Sequence, residues 1–418
     1  GIINNDFIYR YTVGFKKFLS YLNGSSDGII KSADWASKII GINKKVILNL
    51  VDKIKNSERT MISVSWSLTR QSHGEQPFWA AIALASLIGD IGKPGGGIGF
   101  GYSAMNSIGN HYKKIPAVSL PQGKNSVKKF IPVARITDML ENPGNSFDYN
   151  GSRFTYPDIK LIYWAGGNPF HHHQDLNRMI KAWQKPETVI SHEWCWNALA
   201  KHSDIVLPVT TPLERNDIAL APRDPYMIYM SKVLEPIGES KSDFEIFSGL
   251  AKKFGFKDDY TEKRSENEWI EWIYNKSNDL QESNHKFPDF DTFKEKGWYK
   301  SPDQLSQQIF LKEFIEDPVK NRLETPSGKI ELFSKQIDSF KYSDCVGHPK
   351  WFKDKEYLGN GKKYKLHLLS NQPKFKLHSQ LDNGKVADNE KLDGRAVIEV
   401  NKIDAEARAL LENMVVKV

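Results

Sequence analysis

The stretch YWAGGNPFHHHQD, residues 163–175, places two glycines, an asparagine and a proline directly before three consecutive histidines. Two chemistries are open to it: metal ligation by the imidazoles, or anion binding by the backbone ahead of them. Consecutive side chains do not converge on one ion from a regular helix or strand, and neither HExxH nor an HxH pair with a following carboxylate is present. His171, His172 and His173 therefore read as a polar loop or helix start. Gly166 and Gly167 end an apolar run, so their N–H groups can face a phosphate at the start of the next helix, while Asn168 can cap that helix or bind a ligand. About 25 residues further on, Glu193 ends the next apolar run, where an acidic residue can accept hydrogen bonds from a ribose. A plain helix cap with a surface glutamate is the alternative, and a nucleotide is favoured over it.

Other residues carry weaker signals. Arg70 and Arg215 lie in polar loops, where each can pair with phosphate or with an anionic reduced cofactor. Cys195 sits among tryptophans in SHEWCWNA with no base at a motif spacing, and reads as a structural thiol. With Cys345 it completes the cysteine inventory. There is no CxxC, which excludes a disulfide scaffold, a cysteine zinc site or an iron–sulfur cluster held by this chain. The glycine-rich segment 89–110, GDIGKPGGGIGFGYSAMNSIGN, contains neither GxGxxG nor GxxxxGK(S/T). Its glycines permit close approach of backbone to a ligand or a neighbouring segment, with a flexible surface loop as the alternative.

These residues need elements to position them. RTMISVSW (59–66) is a short β-branched strand, followed by a polar loop and the apolar helix FWAAIALASLIGDIG (78–92). From 158 the pattern recurs: strand DIKLIYWAG, amphipathic helix HQDLNRMIKAWQK, strand ETVISHEW, short helix NALAKH and strand DIVLPV. Strands alternating with helices of this length imply βαβ units and a parallel sheet. Ligands of such sheets sit outside the carboxyl ends of the strands, and the polar loops here all follow strands. The expected fold class is α/β, with parallel-sheet, dinucleotide-binding-like domains. YKLHLLS (364–370), AVIEVN (396–401) and MVVKV (414–418) read as strands of a separate β domain.

The 418 residues are enough for two to four domains. The net charge of +7 is scattered, which does not indicate nucleic acid, and no run of 18 apolar residues marks a membrane span.

Four stretches, VSWSLTRQSHGEQPFWAAIALASLIGDIGKPGGGIGFGY (64–102), GGNPFHHHQDLNRM (166–179), DIVLPVTTPLERND (204–217) and LHLLSNQPKFKLHSQLD (366–382), together resemble the dimethyl sulfoxide reductase family. Within it the likeness is to the S- and N-oxide reductases of the biotin/methionine sulfoxide and trimethylamine N-oxide type. The resemblance implies a bis(molybdopterin guanine dinucleotide) molybdenum cofactor and reduction of a small S- or N-oxide by oxygen-atom transfer. It also implies an unidentified electron donor and a monomer of the bacterial periplasm or cytoplasm.

It further implies four segments: 1–150 and 151–250 as α/β cofactor-holding domains, 251–355 as a helical or irregular connection, and 356–418 as an incomplete C-terminal β-barrel. By match to the family motifs, Trp66 and Arg70 lie against the pterin. Gly166, Gly167 and Asn168 hold one nucleotide arm, with His192 and Glu193 beside its ribose. Arg215 and Asp243 complete that arm, and Asp243 suits guanine because a carboxylate accepts both N1–H and the exocyclic amine. Ser370, His378, Ser379 and Gln380 contact the other pterin. The family's metal-ligating serine falls upstream of residue 1 and the later barrel strands fall beyond the last residue, so no catalytic residue and no metal ligand is expected in this chain. A formate dehydrogenase or nitrate reductase relative, and a non-catalytic nucleotide-binding remnant, are the competing readings.

Overall fold

The structure, a computed structural model, describes residues 2–106, 108–221, 224–302, 304–354, 357, 364–377 and 381–417. It is a mixed α/β architecture with parallel sheets. Strand β1 (Thr12–Val13) precedes β2 (Met61–Val64) and β3 (Gly97–Phe100), which pair in parallel with Ile62 opposite Ile98. A hairpin of β4 (Ser146–Tyr149) and β5 (Ser152–Thr155) leads into β6 (Leu161–Ala165), β7 (Thr188–Glu193) and β8 (Ile205–Pro208). These three form a parallel sheet in that order. An antiparallel sheet of β9 (Asp217–Leu220), β10 (Tyr226–Met230) and β11 (Trp298–Lys300) follows, and β12 (Ile330–Glu331) returns to pair in parallel with β1.

The βαβ expectation holds around 158–209. Helix Leu176–Trp183 begins where the Asp175 side chain accepts from the Arg178 N–H. Met179, Ala182 and Trp183 recur at helical spacing and are buried, while Asn177, Arg178 and Lys181 face solvent. Arg178 ties the polar face to Asp138 and Glu141 of helix Ile136–Glu141. Against β6 and β7 this face closes a core with Phe147, Tyr156, Phe170, Val189 and Leu199. Complete burial of one such side chain stabilises by about 1.5–3 kcal/mol.

A second core joins Phe7, Tyr11, Phe18, Ala83 and Ile98 to Phe314, Ile330 and Leu332 from much later in the chain. A third gathers Ile115, Met227, Tyr274, Phe287 and Phe293. The apolar helix after β2 spans Glu75–Ile88, and Gly89 ends it in the left-handed conformation. The glycines that follow serve neighbouring segments. A Cβ on Gly92 would meet Ile315 at 2.4 Å, and the chain at Gly97 passes back over Ile91. Asp90, buried inside this turn, accepts from the Thr60 N–H and from Lys93, which fixes the start of β2 to it.

The C-terminal segment departs from its sequence reading. Among the described residues of 364–417 the structure holds two short helices, Lys385–Asn389 and Lys402–Glu406, and none of its named strands. YKLHLLS and AVIEVN are exposed, with Leu368 at 61% and Val397 at 58%. A period-two pattern shows that a stretch can be half-buried, but a strand exists only when a neighbour completes its ladder. The NALAKH helix is likewise reduced to one 3₁₀ turn, Ala200–His202.

Met179 is fully buried between helix and sheet. Met179→Ala is expected to remove about 2–5 kcal/mol, read as a lower urea midpoint at constant slope. A loss below about 0.5 kcal/mol would show that this helix does not carry the core.

Candidate functional site

The register of the central sheet decides what meets at its carboxyl edge. Ala165 stands beside His192 and Glu193 beside Pro208, so the chain leaves β6, β7 and β8 at one level. A further segment extends this edge. Val209 bridges Lys241 in parallel, the Lys241 N–H donates to the Pro208 carbonyl, and the Thr210 N–H donates to the Lys241 carbonyl. The chain then enters helix Asp243–Lys253 through a capping box formed by Ser242 and Glu245. Asp243, the first residue of that helix, is thereby delivered to His192.

After β6, Gly166 and Gly167 adopt φ of +84° and +80°. A Cβ on Gly166 would meet nothing within 4 Å, so glycine is needed here for its backbone angle rather than for space. Asn168 is buried, and its side chain accepts from the Phe170 N–H at the start of the four-residue helix Pro169–His172. The N–H groups of Gly167 and Asn168 have no hydrogen-bond partner among the described residues. His171 and His172 are exposed. No group of three or more His, Cys, Asp or Glu among the described residues is arranged to hold a metal ion.

His192 turns beneath the edge. Its side chain is 1% exposed, with Nδ1 2.6 Å from Asp243 Oδ1 and Nε2 2.7 Å from the Tyr163 hydroxyl. Both ring nitrogens are therefore committed inside the protein, and Phe247 packs on the imidazole with centroids 5.1 Å apart. Asp243 is the reverse case, its side chain being 60% exposed. Glu193 is buried, and that burial pushes its carboxyl above the usual glutamate range, partly offset by hydrogen bonds from the Asn197 side chain and the Trp194 N–H. Burial and then the Glu193 charge also push the Cys195 thiol up, which disfavours a nucleophilic thiolate.

The loop after β8 is organised by Glu214. Its carboxylate accepts from the Thr211 and Ile237 N–H groups and the Thr211 hydroxyl, which holds its pKa below the ordinary value. Within that loop Arg215 donates to the Thr210 carbonyl and pairs with Asp217 at 3.3 Å. The structure thus brings Gly166, Gly167, Asn168, His192, Glu193, Arg215 and Asp243 to one edge. Trp66 and Arg70 belong to a separate edge, at the carboxyl end of β2. There Trp66 lies edge-on to Phe100 at 5.9 Å, and the exposed Arg70 guanidinium has no partner among the described residues. Ser370 lies in the exposed extended segment with no hydrogen bond to either edge among the described residues. His378, Ser379 and Gln380 lie outside the described residues.

Sequence reasoning missed Tyr163, Lys241, Thr210 and Glu214. Tyr163 had a legible signal: it sits opposite Ile190, two residues from His192 on the same face, at the diagonal spacing where long side chains meet.

The raised Glu193 carboxyl has a signed consequence. Its neutral form suits the fold, so that contribution is complete below the ordinary glutamate value of about 4.3 and is lost as pH rises through the higher folded value. Glu193→Gln is therefore expected to melt about 1–3 °C above the parent at pH 8, with the gap closing by pH 4. Thermal melts at the two pH values check this, and a gap that widens toward pH 4 would reverse the assignment.

The sequence matches known proteins at this point. The sequence model of the molybdopterin oxidoreductase family matches residues 29–253, a span that takes in both edges. Biotin sulfoxide reductase of Cereibacter sphaeroides is 45% identical over 371 residues, covering 88% of this chain and 49% of that protein. Dimethyl sulfoxide/trimethylamine N-oxide reductase of Rhodobacter capsulatus and trimethylamine-N-oxide reductase of Haemophilus influenzae are each 42% identical, covering 88% of this chain and 46% of theirs. The chain spans about half the length of these relatives. Among solved structures, acetylene hydratase from Pelobacter acetylenicus superposes with a TM-score of 0.53 at 16% identity, over 86% of this chain and 49% of its own, and shares the fold. The family model covers more than half of the chain, and the chain belongs to the molybdopterin oxidoreductase family, whose membership implies a molybdenum–pterin cofactor.

Proposed function

We propose that this chain is part of a molybdenum-dependent reductase of small S- or N-oxides, and that its central sheet edge holds a guanine dinucleotide arm of a bis(molybdopterin guanine dinucleotide) cofactor. The observation that carries the reading is one carboxylate, Asp243, anchored through His192 at the end of a parallel sheet while most of its side chain stays in solvent. The relatives named for sulfoxide and N-oxide reduction supply the substrate class. No observation favours formate or nitrate chemistry.

The residues present fit such a group. The three buried hydroxyls without a partner among the described residues, of Ser191, Thr210 and Ser248, all lie on β7, just after β8 or on helix Asp243–Lys253. Buried polar atoms are rarely left orphaned, and the region is built for polar company. The Gly167 and Asn168 N–H groups suit a phosphate. Glu193 stands where a ribose hydroxyl would be accepted, Arg215 supplies a cation beside the loop, and Asp243 accepts from a guanine edge. Trp66 and Arg70 would lie against the pterin at the β2 edge. The exposed stretches of 356–418 would form part of a β-barrel over it, with Ser370, His378, Ser379 and Gln380 as contacts. The bound molybdenum supplies the two-electron oxygen-atom chemistry, and the protein's part is position and electrostatics.

The test is oxide-dependent oxidation of a reduced dye by the molybdenum-loaded enzyme that contains this chain, with biotin sulfoxide, dimethyl sulfoxide and trimethylamine N-oxide as acceptors. In that enzyme Asp243→Ala is expected to lower guanine nucleotide and molybdenum content by about ten-fold, the weight of one charge-assisted contact. Unchanged content would remove Asp243 from the site, and no turnover of any oxide by a loaded enzyme would overturn the activity.

A further inference from the structure

We infer that Tyr163 and His192 are positioning residues that hold Asp243 as an oriented acceptor, so that the edge discriminates guanine from a purine lacking the exocyclic amine. This rests on the guanine dinucleotide reading above. An ionised carboxylate can only accept, so the 2.6 Å contact makes His192 Nδ1 the donor to Asp243 Oδ1. A neutral imidazole protonated at Nδ1 has an accepting Nε2, and the Tyr163 hydroxyl fills it at 2.7 Å. Burial, and then the Asp243 charge, push the Tyr163 hydroxyl above its ordinary value, which keeps its proton available for donation. In that tautomer the donations run one way: Tyr163 O–H to Nε2, and Nδ1–H to Oδ1.

Burial makes this chain directional rather than incidental. The imidazole is 1% exposed, and Phe247 packs against both it and the Tyr163 ring, at 5.1 and 5.8 Å. A terminal carboxylate torsion is otherwise broad. Tied to a ring that cannot turn, the carboxylate keeps one plane, with Oδ1 retaining a second lone pair and Oδ2 without a partner among the described residues. Guanine offers two coplanar donors to such an acceptor, N1–H and the 2-amine, whereas hypoxanthine offers N1–H alone. Orientation matters for the second contact more than for the first, so the Tyr163–His192 chain acts on selectivity.

The experiment is calorimetric titration of the cofactor-free form of the enzyme that contains this chain with GDP and with IDP. The parent is expected to prefer GDP, and Asp243→Asn to lose that preference. Tyr163→Phe, with its fold checked by circular dichroism, is expected to lower the GDP-over-IDP ratio about five-fold while IDP affinity holds. In a His192→Asn background, where the amide nitrogen can replace Nδ1 but the shorter side chain leaves no acceptor at the Nε2 position, Tyr163→Phe should have no further effect. An unchanged ratio in Tyr163→Phe, or an equal fall in the His192→Asn background, would overturn the inference and leave the guanine site standing. A parent without GDP preference, or Asp243→Asn that keeps it, would overturn the guanine reading itself.

Discussion

Parallel pairing of β6 with β7 and of β7 with β8, in the register that sets Ala165 beside His192 and Glu193 beside Pro208, obliges three strands to release their chains at one edge. A slip of one residue would turn every side chain of a strand to the opposite face, and His192 would exchange places with Ser191 or Glu193. The core beneath holds that register. Met179, Trp183 and Val189 lie within one apolar cluster, and their burial opposes any slip that would expose them. The Lys241 bridge to Val209 then uses the β8 side of the sheet to bring in the amino end of helix Asp243–Lys253.

Electrostatics at the edge follow from how deeply each group is set. Glu193 and Asp243 are both carboxylates, yet one is buried with a raised pKa and the other reaches solvent with a buried histidine behind it. The arrangement sets a carboxyl whose charge is opposed by burial beside one whose side chain reaches solvent. Glu214 is a third case. Three donors converge on it, and its work is internal, shaping the loop that carries Arg215.

The β2–β3 pair is built by the same rule from different material. Its helix, Glu75–Ile88, is apolar on most sides and lies within a core that also receives Phe314, Ile330 and Leu332. The glycines after it let the chain fold back onto Asp90, Ile91 and Ile315 at distances no side chain would permit. Trp66 and Arg70 stand at the carboxyl end of this second parallel pair. One chain thus presents two sheet edges at the carboxyl ends of parallel strands.

The sequence by itself determined the local elements and the polarity of the sheet. Apolar runs around 161–165 and 188–193, helical spacing of Met179, Ala182 and Trp183, and glycines at 166 and 167 are properties of neighbouring residues, and they read correctly. It also grouped Gly166, Gly167, Asn168, Glu193 and Arg215 in loops after parallel strands, which share one side; Asp243 entered through the family resemblance alone, and Arg70 lies at the separate β2–β3 pair. It did not show that Tyr163 and Asp243 would meet on His192, since that contact joins residues up to 80 positions apart through three separate backbone pairings. Nor did it show that YKLHLLS and AVIEVN would stay exposed here. Local pattern states which face of a segment is apolar. Only the tertiary structure decides what that face meets, because hydrogen-bond ladders and buried contacts are made between distant parts of the chain.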